Sequence, residues 1–144
     1  MTSRARPPFE ILEHTADIGL RAWGETREAL FENCALGLAD ILDRREDGYG
    51  AGTTNQVSVQ LHATDVEALL VEWMNEVLYA LEDEEGCLQA VRMSEVGETQ
   101  LRADIVLSVC EGPPEATELK ATTYHQLSVR RRDSEWEATV YFDV

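Results

Sequence analysis

The stretch DIGLRAWGETREALFENCALGLADIL, residues 17–42, changes its apolar period partway along. In its first part Ile18, Leu20 and Ala22 alternate with other residues, as in a strand with one buried face. From residue 26 onward the apolar residues recur at helical spacing, and Thr26 stands where it can cap the first turn. The stretch therefore predicts a strand followed by a helix over residues 26–42.

A second helix is predicted to start near the capping candidate Asp65 and to end before Gly86, because its apolar residues form one broad stripe. The stripe consists of Leu69, Leu70, Trp73, Met74, Val77, Leu78 and Leu81. Further strands are predicted over residues 57–61, 88–96, 101–109, 119–129 and 136–142, the last of which has room for a bend.

Runs of strands together with two helices favour an α+β fold, in which an antiparallel or mixed sheet packs against two α-helices, over a doubly wound parallel sheet. No repeat, low-complexity stretch or long linker divides the 144 residues. We therefore predict a single domain over residues 1–144. Residues 1–8 lack the apolar segment of a signal peptide. They are predicted to be a flexible N-terminal tail.

The chain carries 28 acidic and 12 basic side chains, which gives a formal net charge of −16. A field of this sign repels nucleic acid, so no strong direct nucleic-acid binding is expected. A role in RNA metabolism would run through a protein partner, whose basic surface would be attracted to this chain. The alternative is that the acidic surface serves solubility or a salt-adapted cytoplasm.

The three cysteines, Cys34, Cys87 and Cys110, predict neither a disulfide framework nor a zinc site, because their number is odd and no C-x-x-C spacing occurs. A reducing, cytoplasmic setting fits this pattern. No apolar run approaches the roughly 20 residues of a membrane-spanning helix, so no membrane partner is expected.

Acidic groups stand at two strand ends. Asp17 follows His14 at a loop-to-strand junction, and the last strand is predicted to run through Asp143 to the carboxylate of Val144. If these ends meet, three negative charges converge and need a cation or protons. Oxygen ligands favour calcium, magnesium or manganese. The alternative is that Asp17 is a turn residue and Asp143 a solvated strand end.

A second polar group lies in LKATTYH, residues 119–125. Alternation predicts that Lys120, Thr122 and Tyr124 share one face of a strand, where they would suit a phosphate, a nucleotide or a carboxylate. The alternative is an ordinary exposed strand face, with His125 as a hydrogen-bonded structural histidine. No nucleophile with a base and no glycine-rich phosphate loop occurs in the sequence, which argues against an enzyme.

Four motifs together resemble the archease family: HTADIGLRAWG at 14–24, LLVEWMNEVLY at 69–79, KATTYH at 120–125 and the ending FDV at 142–144. They occur in the family's order and span nearly the whole chain. The resemblance implies an archease-like sandwich. It also implies a non-catalytic activator of the RtcB-type RNA ligase, which acts in tRNA splicing and RNA repair with GTP and manganese.

In that family the activator promotes guanylylation of the ligase and multiple turnover. The resemblance implies that Asp17, Asp143 and Val144 bind a divalent metal ion, most often calcium, with magnesium or manganese as alternatives. It links Lys120 to activation. Many relatives end in Ile where this chain ends in Val144. Because the ligand atoms there would be main-chain or terminal oxygens, we expect this difference to matter little.

Two other functions remain open from the sequence. The first is a general chaperone or modulator of tRNA-modifying proteins such as tRNA methyltransferases, a function also associated with the family. The second is a metal-dependent hydrolase, which is disfavoured because no general base accompanies the proposed metal ligands.

Overall fold

The computed structural model describes residues 7–13, 17–45, 53–83, 86–109 and 119–143. These residues form, in chain order, β1 (Phe9–Glu13), β2 (Asp17–Gly24), α1 (Arg27–Ile41), β3 (Thr53–His62), α2 (Val66–Asp83), β4 (Gly86–Val96), β5 (Gln100–Val109), β6 (Ala121–Arg132) and β7 (Glu135–Asp143). The predicted α+β class is confirmed.

The strands form two sheets rather than one. Sheet A has the order β1-β2-β7-β6 and sheet B the order β3-β5-β4, and neighbouring strands run antiparallel in both. Helix α1 packs on β2 of sheet A and β4 of sheet B, while α2 packs on β6 and on all three strands of sheet B. The helices therefore form a layer between the two sheets.

Both helices begin where the sequence predicts. The Thr26 Oγ1 atom accepts a hydrogen bond from the Ala29 backbone N–H (3.0 Å), and Asp65 Oδ1 accepts one from Ala68 (2.8 Å). Each cap satisfies a backbone donor of the first helical turn. Both helices carry many buried apolar side chains, as expected for elements with a sheet on either side. No helix among the described residues is long and apolar enough to cross a bilayer.

The three tryptophans serve packing. Trp73 is fully buried, and its indole N–H donates to the Phe31 carbonyl (2.9 Å), which links α2 to α1. Trp136 packs at the edge of the core with the Arg27 guanidinium 5.4 Å from its ring. Trp23 is buried on the other face of sheet A.

Strand β1 was not predicted. It pairs with β2, and just before it the Pro8 carbonyl accepts a hydrogen bond from the Trp23 backbone N–H (3.0 Å). The chain is thus held to the sheet at Pro8, inside the segment predicted to be a tail, whereas residues 1–6 lie outside the described residues. The strand is only five residues long, FEILE, and its alternation breaks at Leu12, so its periodicity is weak.

The irregularity in sheet A lies in β6 and not in the last strand, where a bend was considered. Strand β7 pairs with β2 without interruption, whereas the register of β6 shifts between Thr123 and Ser128. Within this bulge Gln126 has φ 53°, a value uncommon for residues other than glycine. Three arginines, residues 130–132, form the end of β6, and the hairpin turn follows at Asp133, which has φ 57°.

The prediction that the chain has no disulfide is wrong, because Cys87 is disulfide-bonded. Cys34 is a free, buried thiol, and Cys110 lies outside the described residues. An odd cysteine count and missing C-x-x-C spacing do not exclude a bond between cysteines that the fold brings together.

Candidate functional site

Asp17 and Asp143 lie directly opposite each other at the end of the β2–β7 ladder. Leu20 and Val140 face the core. Asp17 and Asp143 are each an odd number of residues away from them along the same strands, so both aspartates project from the opposite, outer face of sheet A. Directly opposed residues have Cβ atoms about 5 Å apart. The expected meeting of chain ends is therefore observed for these two residues, whereas Val144 lies outside the described residues.

Opposed carboxylates repel each other, and like charges in this position destabilise a sheet. Among the described residues neither Asp17 nor Asp143 takes part in an ion pair. The nearest cation along β2, Arg21, is bonded to Glu10 Oε1 at 3.2 Å and to Thr139 Oγ1 at 3.4 Å. The pair is thus placed to attract a cation from solution.

Lys120 lies on the side of Asp143 that is away from Asp17. Its backbone N–H donates to the Asp143 carbonyl (2.9 Å), and the next residue, Ala121, is the β6 partner of Asp143. The Lys120 side chain is exposed. Asp17, Asp143 and Lys120, from three separated motifs, therefore lie along one end of sheet A.

The prediction that Thr122 binds a ligand together with Lys120 and Tyr124 is wrong, because Thr122 is not accessible. Thr122 pairs with the core residue Phe142 and is buried, and its backbone N–H donates to Asn75 Oδ1 (3.2 Å) on α2. Alternation defines two faces of β6, and the packing of α2 decides that the face of Thr122 is buried. Tyr124 is exposed and lies within the bulge between Thr123 and Ser128.

Tyr141 was not identified from the sequence, although it lies next to the carboxylates. It is the partner of Gly19 on one side and of Thr123 on the other. A Cβ added to Gly19 would lie 2.5 Å from Tyr141 Cε1, so the glycine leaves room for the ring. The His125 ring meets Tyr141 edge-on with the centroids 6.3 Å apart, and its backbone N–H donates to Thr123 Oγ1 (3.1 Å).

The described part of the site fits a hard divalent cation. Asp17 and Asp143 offer carboxylate oxygens on one face, which are the ligands that calcium and magnesium prefer. The described residues hold no cluster of three or more His, Cys, Asp or Glu side chains arranged for a metal. Further ligands would therefore come from water or from outside the described residues, where the predicted ligand Val144 lies.

Comparisons with known proteins identify a family and related structures. Residues 9–144 match the model of the Archease protein family. Protein archease of Methanosarcina mazei is 35% identical over 142 residues, which cover 94% of this chain and 95% of the relative. Protein archease of Archaeoglobus fulgidus is 30% identical and covers 94% of this chain and 98% of the relative.

Two solved structures have the same fold. The solution structure of Methanobacterium thermoautotrophicum protein 1598 superposes with a TM-score of 0.74 at 25% identity and covers 95% of this chain and 99% of the other. The crystal structure of a Thermotoga maritima protein, described as an archease and possible chaperone, has a TM-score of 0.62 at 23% identity and covers 99% and 100%. From the family match over residues 9–144 and the relatives at 30% identity or more, the chain belongs to the archease family.

Proposed function

We propose that this protein is a non-catalytic activator of an RtcB-type RNA ligase in the cytoplasm. It binds a divalent cation, calcium before magnesium or manganese, through Asp17, Asp143 and Val144. The observation that carries the proposal is the pairing of Asp17 with Asp143, with Lys120 bonded alongside. Membership of the archease family supports the same assignment.

The chain's own residues have distinct tasks in this proposal. Asp17 and Asp143 hold the cation on the outer face of sheet A, at the end of the sheet where the exposed Asp143 is accessible to a partner. The bound ion offsets the repulsion between the two carboxylates. The exposed Lys120 contacts a phosphate group or an acidic side chain of the ligase.

The charge of the chain suits a protein partner better than RNA. With a net charge of −16, the protein repels a phosphate backbone and is steered towards a basic surface. An activator of this kind meets the ligase directly and leaves RNA binding to it.

A multiple-turnover ligation assay tests the proposal. RNA ends bearing a 2′,3′-cyclic phosphate and a 5′-hydroxyl are joined by the ligase with GTP and manganese, with and without this protein. We expect stimulation by the wild type and its loss in Asp17→Asn, Asp143→Asn and Lys120→Ala. Glu98→Gln is the matched control, because it removes an exposed carboxylate in the turn between β4 and β5. Full stimulation by all three site variants would contradict the proposal.

The second candidate is a general chaperone or modulator of tRNA-modifying proteins such as tRNA methyltransferases. It is favoured by the description of the Thermotoga maritima relative as a possible chaperone. Suppressed aggregation of several unrelated client proteins, together with no effect on ligation, would support this candidate. Phosphatase or nuclease turnover by the isolated protein with magnesium or manganese would instead indicate an enzyme.

A further inference from the structure

Large apolar side chains are exposed at three positions among the described residues: Ile11, Tyr79 and Tyr124. Ile11 lies on β1, at one edge of sheet A, and Tyr124 lies on β6, at the opposite edge. Tyr79 is on α2, which packs on β6. Tyr79 and Tyr124 are 54% and 61% exposed and lie on two elements that pack against each other.

The contact between α2 and β6 fixes where the two tyrosines lie. Asn75 Oδ1 accepts the Thr122 backbone N–H (3.2 Å), which joins the helix to the strand. Tyr79 is one helical turn after Asn75 and so about 6 Å from it on the same face. Tyr124 is two residues after Thr122, about 7 Å along the strand. Both tyrosines therefore border this contact.

Helix α2 runs in the direction opposite to β6. Val66, at its start, lines the same cavity as Trp136, which pairs with Arg131 near the end of β6. Asn75, further along the helix, contacts Thr122 near the beginning of β6. The later part of α2 therefore extends towards the first residues of β6.

This direction sets Tyr79 on the side of the candidate site. From the Asn75 contact, Tyr79 lies towards Lys120, whose backbone N–H is bonded to the Asp143 carbonyl. Tyr124 lies on the other side of the contact. The two rings thus lie on either side of the contact between Asn75 and Thr122, along the β6 edge of sheet A.

Acidic residues surround Tyr79 on the outward side of α2. Glu72, Glu76, Glu82 and Asp83 recur with Tyr79 at helical spacing, and none is buried. None of these four carboxylates forms an ion pair with a described residue. The surface therefore joins exposed aromatic rings to uncompensated negative charge.

We propose that Tyr79, Tyr124 and these four carboxylates form a docking surface, the Tyr79–Tyr124 face, for a protein partner with an arginine-rich surface. Guanidinium groups stack on tyrosine rings and pair with carboxylates, so one residue type satisfies both features. Aromatic residues often supply much of the binding free energy at the centre of an interface. The inference rests on the proposed function, because the partner it assigns is the RNA ligase.

The test measures the dissociation constant of the purified RNA ligase for this protein by calorimetry, at a fixed concentration of divalent cation. We expect Tyr79→Ala and Tyr124→Ala each to raise it about tenfold, corresponding to about 1.4 kcal/mol. Ile11→Ala, which removes the exposed apolar side chain at the far edge of sheet A, is the matched control and should leave it unchanged.

Two further variants separate docking from folding. Tyr79→Phe keeps the ring that an arginine stacks on and should bind as the wild type, whereas Tyr79→Ala retains helix propensity but should bind more weakly. A Glu82→Gln and Asp83→Asn double variant should slow association and weaken its dependence on salt. Circular dichroism and thermal unfolding verify that each variant is folded.

Each outcome decides between the two proposals. If the wild type binds and stimulates the ligase and both tyrosine-to-alanine variants bind equally well, the docking surface is wrong and the proposed function stands. If Ile11→Ala weakens binding as much as Tyr79→Ala, the docking surface is also wrong. If the wild type neither binds nor stimulates the ligase, the proposed function fails and this inference fails with it.

Discussion

Asp17 and Asp143, from opposite ends of the chain, face each other across the β2–β7 ladder. Their opposition costs free energy in the absence of a cation, because like charges directly across a sheet repel. A bound cation would offset this repulsion and stabilise the protein. The melting temperature therefore tests whether Asp17 and Asp143 bind an ion.

Divalent cations should therefore raise the melting temperature of the wild type, and a chelator should lower it. At an ion concentration about 100 times its dissociation constant, the free energy of unfolding should rise by about 2.7 kcal/mol. Asp143→Asn should remove this response and, without the ion, stabilise the protein by about 0.2–1 kcal/mol. Thermal unfolding with calcium, magnesium or manganese and with EDTA measures both effects.

The control is Glu98→Gln, which removes one exposed negative charge away from the site and should respond to the ion like the wild type. A wild-type melting temperature that none of the three ions changes would rule out a metal site at this sheet end.

Cys34 should be unreactive in the folded protein. Burial raises the pKa of its thiol from 9.0 to about 12, so the reactive thiolate is suppressed at neutral and mildly alkaline pH. We expect alkylation of Cys34 by iodoacetamide only after unfolding, as followed by mass spectrometry. Rapid alkylation of the native protein at this residue would contradict the burial.

The same pKa makes stability depend on alkaline pH. The folded-state pKa is raised, so this contribution is complete below pH 9 and is lost as the pH rises towards about 12, because the unfolded chain releases the proton first. Cys34→Ala should lose less stability than the wild type over this interval. Urea unfolding at a series of pH values measures the difference.

Two adjacent threonines of β6 should respond in opposite ways to replacement by valine. Thr122 Oγ1 is buried and has no hydrogen-bond partner among the described residues, so Thr122→Val should stabilise the protein by about 1 kcal/mol. Thr123 Oγ1 accepts the His125 backbone N–H, so Thr123→Val should cost about 0.5–1.5 kcal/mol. Urea unfolding of both variants tests the pair, and equal signs would contradict the assignment.

Glycines at two positions should also differ. A Cβ at Gly24 would lie 2.4 Å from the Leu30 backbone nitrogen, so Gly24→Ala forces β2 away from α1 and should destabilise the protein by about 1–3 kcal/mol. A Cβ at Gly97 meets nothing closer than 3.6 Å, so Gly97→Ala should be tolerated. A fall in melting temperature for Gly24→Ala alone is the expected result, and equal falls for both would contradict the packing.

Local patterns predicted much of this fold. The caps at Thr26 and Asp65 and the apolar stripes behind them place both helices within one or two residues of their observed bounds. Alternation also predicted a strand starting next to Asp17 and a last strand that includes Asp143, and both strands are present. These features depend on residues close together in the sequence, which is why a single sequence reveals them.

Features that depend on distant contacts were not predictable in this way. Period-two alternation gives Thr122 and Thr123 opposite faces, but only the position of α2 determines that Thr122 is buried. The bulge in β6 has no glycine to mark it, because Gln126 itself adopts the positive φ. The proximity of Asp17 and Asp143 likewise requires β7 to lie next to β2, and it was expected only if the ends of the chain meet.

Strand β6 is an outer strand of sheet A, and such strands often recruit neighbouring molecules through their free backbone groups. Here the Thr122 N–H already donates to Asn75 Oδ1. The bulge before Ser128 also interrupts the row of backbone N–H and C=O groups with which a strand of another molecule would pair. The protein can thus display an open sheet edge beside its carboxylates while resisting fibre-like self-association at high concentration.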